Sequence, residues 1–249
     1  SMPVVDIQPM TDAMTVGGEP LFDALIKRST SMNVRQGKTT GAFEFVIDAG
    51  LVRAIQAGNA YQITLRNITA DTWSRNVRSN PYARVARELA GLDGMVFDAF
   101  VNTMTGEVER LDGSGAAVTP GQDPQRRAEQ EKLAIILQNW KMGEFRGRTY
   151  EDGQELFALD IGPFLTLMGV DANPVPITAY VIGHATIEGR PALAAELVGN
   201  VPVNGSVVHV EGLYFVDRRS GIVSLAEVEL RGSIGGKRVR QSQTISVTF

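Results

Sequence analysis

The chain has 249 residues, of which 43% are hydrophobic and 21% are charged, and its formal net charge is −4. These values are close to those of an average globular protein, so the chain can bury a core and is not predicted to be disordered. The weakly acidic balance disfavours nucleic-acid binding, which requires a basic surface. The absence of cysteine excludes disulfides, thiolate metal sites and cysteine nucleophiles.

The amino-terminal third of the chain is predicted to contain one short helix and two strands. The helix is predicted over 21–27, because Leu21 and Leu25 stand at helical spacing. Strands are predicted over 42–47 and 61–69, and the second of these alternates apolar and polar residues along its length. No run of about 18 apolar residues occurs anywhere, so no transmembrane segment is predicted.

Two longer helices are predicted in the middle of the chain. Each follows a capping residue and a proline, which together are typical of a helix start, at Asn80 and Pro81 and again at Asp123 and Pro124. In the second helix, over 123–142, apolar residues recur with a helical period on one side and charged residues occupy the other. We therefore expect this amphipathic helix to pack on a sheet.

Strands are predicted for most of the chain after residue 150. Turn signals, such as Asn204 followed by Gly205, separate five candidate strands. These strands cover 177–187, 192–198, 207–216, 222–230 and 239–249. Short connections between consecutive strands predict an antiparallel meander.

One sequence signature occurs twice, 115 residues apart. The first copy runs from Phe100 to Val108 and the second from Phe215 to Val223, and both read Phe-Val-(Asn/Asp)-x-x-(Thr/Ser)-Gly-x-Val. The Asn or Asp can bond the backbone of a turn, and the glycine can adopt the left-handed conformation that other residues resist. Shared turn chemistry explains the likeness, and duplication of half of the chain is the alternative.

Together these elements predict an α+β fold. A large curved antiparallel β-sheet, or two related sub-sheets, would pack around two main helices, and the carboxyl-terminal half would be a β-meander. We expect residues 1–20 to be loosely ordered and 21–249 to form a single domain. This domain could also consist of two related halves, at about 21–122 and 150–249, joined by the helix over 123–142.

No motif points to catalysis, and we expect no cofactor and no metal. His184 and His209 lie in predicted strands without the spacing of a zinc site. The segment 37–40 resembles the end of a phosphate-binding loop, but it lacks the first glycine of that motif and precedes a strand rather than a helix. The basic stretch 237–240 is interpreted as a solvated strand end. An enzyme of unknown class is therefore only the third hypothesis for function.

The run from Tyr214 to Val223 enters an Asp-x-x-Ser-Gly turn from one strand and leaves it as another. With its flanking strands, over about 177–249, it is similar to bacterial envelope proteins of the LolA/LolB type and to uncharacterised bacterial proteins of similar build. The resemblance implies a periplasmic protein with an apolar cavity between sheet and helices, with the cytoplasm as the alternative location. The chain differs from that family in length and lacks a lipobox cysteine.

Two principal hypotheses for function follow. In the first, a non-catalytic envelope protein binds a lipid or other apolar ligand in the cavity between sheet and helices. Phe100, Leu137, Trp140 and Phe215 would line this cavity, and an ordinary hydrophobic core is the alternative role for all four. In the second, the protein is an interaction or assembly module that binds a protein partner through a sheet edge.

Overall fold

The computed structural model describes residues 4–57, 60–76, 97–102, 108–113, 116–118, 124, 144–171 and 173–249. Within these residues the chain forms fourteen strands and one six-residue helix. The strands are β1 (Met14–Thr15), β2 (Leu21–Gln36), β3 (Thr39–Ala57), β4 (Ala60–Arg75), β5 (Phe97–Asn102), β6 (Val108–Gly113), β7 (Ala116–Val118), β8 (Thr149–Tyr150), β9 (Glu155–Asp160), β10 (Pro176–Ile187), β11 (Arg190–Val203), β12 (Ser206–Asp217), β13 (Val223–Ile234) and β14 (Lys237–Thr248). The helix α1 is Gly162–Leu167.

Twelve of these strands form one antiparallel sheet. Their order across the sheet is β7-β6-β5-β4-β3-β2-β14-β13-β12-β11-β10-β9, so each half is a six-stranded meander. The two halves meet at β2 and β14, the two central strands, which pair from Leu25 with Thr248 to Arg35 with Arg238. β1 and β8 form a separate two-stranded ribbon.

The predicted α+β fold class is therefore wrong: the described chain is mostly antiparallel strand, and its only helix, α1, was not predicted. The predicted helix over 21–27 is the start of β2. Leu21 and Leu25 do not share a face there, because Leu21 is buried and Leu25 is 47% exposed. The predicted helices that begin at Pro81 and at Pro124 fall almost entirely outside the described residues.

The five strands predicted after residue 177 are present as β10 to β14, and they pair consecutively. The turn between β11 and β12 has the two residues that the sequence indicates. Asn204 and Gly205 have φ values of 46° and 80°, the left-handed conformation of a two-residue hairpin turn.

The two copies of the sequence signature form hairpins with the same register. β5 and β6 pair Phe100 with Arg110 and Val101 with Val108, and an irregularity lies between these two pairs. β12 and β13 repeat both pairings and the irregularity 115 residues later, at Phe215 and Val216. Each hairpin is formed by the fourth and fifth strands of its meander. The division of the chain into two related halves stays a prediction.

The two faces of the sheet carry separate apolar clusters. Neighbouring residues of a strand point to opposite faces, so Tyr214 and Phe215 define two sides. Tyr214 belongs to the larger cluster, which extends from β2 to β14 and includes α1, and we call this side the inner face. Phe215 belongs to a small cluster with alanines of β11, which Val5 and Ile7 cover, and we call this side the outer face.

Between β9 and β12 the sheet curves toward its inner face. The ring of Phe157 on β9 lies 4.8 Å from the ring of Tyr214 on β12, although β10 and β11 lie between these strands. Three strand spacings of a flat sheet amount to about 14 Å. The two rings meet because the inner face is concave.

Residues 4–20 lie against the carboxyl-terminal half of the sheet. Gln8 forms a β-bridge with His184. Val16 is buried, and the amides of Gly17 and Glu19 donate hydrogen bonds to the carbonyls of Arg218 and Arg219. This segment therefore holds the turn that follows β12.

Candidate functional site

The four predicted ligand-binding residues are not seen to form one group. Leu137 and Trp140 lie outside the described residues, and of Phe100 only the strand position in β5 is described. Phe215 is fully buried on the outer face, on the opposite side of β12 from Tyr214. A ligand-binding role for these four residues stays a prediction.

The inner face instead contains a group of buried or half-buried polar side chains at its centre. They lie on the two central strands, where alternation directs them to the same side as the apolar core. Their members are Arg28 and Thr30 of β2 and Gln241 and Gln243 of β14, which we call the central polar cluster. Arg28, Thr30 and Gln241 are at most 3% exposed.

Strand register explains why these polar residues face inward. Gln241 is directly opposite Met32 of β2 and Leu230 of β13, both of which belong to the inner core. Residues directly opposite each other in a sheet share a face. Gln243 is likewise opposite Thr30. The cluster is therefore surrounded by apolar side chains of the same face.

Hydrogen bonding within the cluster leaves some of its groups available. Nη2 of Arg28 donates to Oε1 of Gln243 at 3.3 Å. Among the described residues, neither Nε2 nor Oε1 of Gln241 has a hydrogen-bond partner, and neither does Oγ1 of Thr30. A buried polar group without a partner costs about 1–3 kcal/mol. The Gln241 amide is thus a buried hydrogen-bonding group at the centre of the inner face that no described residue satisfies.

The inner face combines the positive charge of Arg28 with neutral hydrogen-bonding groups. Burial lowers the pKa of Arg28 to about 10, so its guanidinium stays charged at neutral pH. Burial also raises the pKa of the Tyr214 hydroxyl, against the opposing effect of the Arg28 charge. Tyr214 is therefore a neutral phenol at neutral pH, and among the described residues the central polar cluster combines the Arg28 charge with amide and hydroxyl groups.

A second polar arrangement supports the turn after β12. Asp217 is 1% exposed and accepts hydrogen bonds from Nε and Nη2 of Arg190, at 2.9 and 2.8 Å. The backbone amide and the hydroxyl of Ser220 also donate to its Oδ2. These four hydrogen bonds hold the buried carboxylate in place, so this arrangement is a structural support of the turn.

Sequence patterning could have identified Gln241. It stands two residues after Val239 and four before Ile245, and the sequence already places these two on the apolar face of the last strand. A glutamine on that face is the signal, and the same reasoning applies to Gln243. Arg28 and Thr30 cannot be identified in this way, because the sequence predicts a helix over the segment 21–27 that precedes them.

The comparisons with known proteins add no family. No protein-family model matches the chain, and no curated protein matches it. Within the described residues, no helix is long and apolar enough to cross a membrane. The described residues also contain no group of three or more histidine, aspartate or glutamate side chains that could hold a metal ion. Because the comparisons match no family, the resemblance to LolA/LolB proteins stays a prediction.

Proposed function

We propose that this protein is a non-catalytic binding protein that holds an amphiphile on the inner face of its sheet. The ligand would consist of an apolar chain and an anionic or carbonyl-bearing head group. The observation that carries the proposal is the Gln241 side chain, which is fully buried and has no hydrogen-bond partner for either of its polar atoms in the described chain.

The apolar part of the ligand is suited to the surroundings of the cluster. Met32, Phe43, Phe45, Leu230 and Ile245 are buried inner-face residues on the central strands and their neighbours. Contact with such side chains stabilises a hydrocarbon chain by about 0.8 kcal/mol for each CH₂ group removed from water.

The head group is suited to the central polar cluster. A carboxylate oxygen can accept hydrogen bonds from the Arg28 guanidinium, the Gln241 amide and the Thr30 hydroxyl. A hydrogen bond that involves a charged group contributes about 1.5–3 kcal/mol, which is more than a neutral one contributes. We therefore expect the site to prefer an anionic head group over a cationic one with the same chain.

A displacement assay tests both parts of the proposal. The purified protein is titrated with a dansyl-labelled fatty acid, and the probe is then displaced with dodecanoate or with dodecyltrimethylammonium. We expect saturable binding, and displacement by dodecanoate at a concentration at least about tenfold lower, from one charge-assisted hydrogen bond. Absence of probe binding would contradict the proposal. Equal displacement by the two detergents would contradict head-group recognition by the cluster.

Mass spectrometry of an organic-solvent extract provides an independent measurement. We expect the extract of the purified protein to contain an amphiphile in near-stoichiometric amount, or the delipidated protein to acquire one from a lipid mixture. An extract without amphiphile, together with a failure to acquire one, would count against the proposal.

A further inference from the structure

A groove lined by arginines lies on the outer face, at the end of the sheet where the turns 37–38 and 235–236 reverse the chain. It has a volume of about 510 Å³. Four arginines line it, Arg35 of β2, Arg231 of β13 and Arg238 and Arg240 of β14, together with the imidazole of His209 of β12. We call this surface the arginine groove.

The register places these arginines in two directly opposed pairs. Arg231 is opposite Arg240, and Arg238 is opposite Arg35. Arg238 and Arg240 are two residues apart on β14, so both pairs lie on the same face. Like charges directly opposite each other in a sheet are destabilising. Two such pairs side by side concentrate four guanidinium groups in a chain whose net charge is −4.

Carboxylates neutralise this charge only in part. Oε2 of Glu229 accepts a hydrogen bond from Arg240 at 2.9 Å, and Oε2 of Glu211 lies 3.8 Å from Nε2 of His209. Arg35 donates from Nε to the carbonyl of Gly37. In the described chain, Arg35, Arg231 and Arg238 have no carboxylate within ion-pair distance. Three of the four guanidinium charges are therefore available to an external anion.

We propose that the arginine groove is a binding site for a phosphate group. A planar guanidinium matches two oxygens of a phosphate at once, and adjacent guanidinium groups can bind the same tetrahedral anion. Such an anion would also relieve the repulsion between the opposed arginine pairs. The groove lies on the opposite face from the central polar cluster, so the proposal does not depend on the amphiphile site.

The phosphate group can belong to a soluble phosphomonoester or to a phospholipid head group. Two binding assays distinguish these two sources. Calorimetry measures binding of glycerol 3-phosphate and of inorganic phosphate at low ionic strength. Sedimentation measures binding to vesicles of phosphatidylglycerol mixed with phosphatidylcholine, against vesicles of phosphatidylcholine alone. Binding in either assay supports the site, and the assay that is positive identifies the source.

Arg231→Gln and Arg238→Gln are the test variants, and Arg219→Gln is the control, because Arg219 is exposed and lies outside the groove. Loss of one charge-assisted hydrogen bond predicts at least about tenfold weaker binding for each test variant. The control should bind like the wild-type protein. Circular dichroism checks that the variants fold, and removal of a like-charge contact should leave them at least as stable as the wild type.

Two results would overturn the proposal. The first is no binding of phosphate, glycerol 3-phosphate or phosphatidylglycerol vesicles by the wild-type protein; binding of a single-stranded oligonucleotide in that case would indicate a polyanion surface instead. The second is an equal loss of binding in Arg219→Gln, which would indicate a general charge effect rather than this groove.

Discussion

Arg190 and Asp217 form a two-point ion pair across β11 and β12, with Nε to Oδ1 at 2.9 Å and Nη2 to Oδ2 at 2.8 Å. The carboxylate is almost fully buried and the guanidinium is partly exposed. Ser220 donates two further hydrogen bonds to Oδ2. The pair thereby ties the start of β11 to the turn that carries the second copy of the repeated signature.

Replacement of Asp217 by asparagine should destabilise the protein strongly. The variant loses the charge that Arg190 and Ser220 surround, and breaking a buried pair costs about 3–5 kcal/mol. Because Arg190 is partly exposed, we expect the lower end of this range in urea denaturation. Asp171→Asn is the matched control, since Asp171 is exposed and should change stability by less than about 0.5 kcal/mol. Equal stability of the two variants would show that the pair contributes nothing.

The stability of the wild-type protein should depend on the ionisation of Asp217. Burial alone would raise the pKa of this carboxyl, but the hydrogen bonds from Arg190 and Ser220 outweigh burial and hold the pKa below its ordinary value of 3.8. A lowered pKa in the folded state means that the contribution is fully present above the unfolded value and is lost as pH falls through the folded value. Unfolding free energy should therefore fall below about pH 4 in the wild type, and it should fall less steeply in Asp217→Asn. Parallel pH profiles would contradict this assignment.

Gly221, in the same turn, should not tolerate a side chain. Its φ is 74°, and a Cβ atom there would lie 2.5 Å from Cγ of Arg146 and 2.9 Å from the carbonyl oxygen of Gly17. Gly205 has a similar φ of 80° but open space around it, so Gly205→Ala is the matched control. The left-handed conformation costs about 1–2 kcal/mol in each variant, and crowding adds about 1–3 kcal/mol in Gly221→Ala alone. An equal decrease in the melting temperature of both variants would argue against the packing of residues 16–19 on this turn.

The alternation of apolar and polar residues predicts several strands of this protein, but it fails at the start of β2, where the backbone is irregular. Residues 61–69 alternate over most of their length and residues 177–187 are mostly apolar, and both lie within strands. In β2, Asp23 takes a φ of 55°. Leu21 and Ala24, three residues apart, are consequently both buried, and that spacing is typical of a helix rather than a strand.

The candidate site was less predictable than the strands, for a different reason. Sequence patterns assign most polar residues to the solvent side, and of the buried residues Arg28, Thr30 and Gln241 only Gln241 stands in a strand whose predicted apolar face indicates its position. Their burial depends on pairing between β2 and β14, which are more than 200 residues apart in sequence. Only the assembled sheet brings them together. The predicted lining residue Phe215 lies on the other face from Tyr214, because neighbouring residues of a strand point to opposite faces.

The opposite effects of one substitution on stability and on affinity test the amphiphile site most directly. Gln241→Met keeps the size of the side chain but removes its two unpartnered polar atoms. Gln36→Met, at an exposed position at the end of β2, is the matched control. Both variants are compared with the wild type by thermal unfolding and by titration with the dansyl-labelled fatty acid.

We predict that Gln241→Met is more stable than the wild type by about 1–3 kcal/mol, the cost of a buried group without a partner, and that it binds the fatty acid several-fold more weakly. Gln36→Met should change neither quantity. A Gln241→Met protein that binds the fatty acid as tightly as the wild type would contradict the proposal that this amide receives the head group of a ligand.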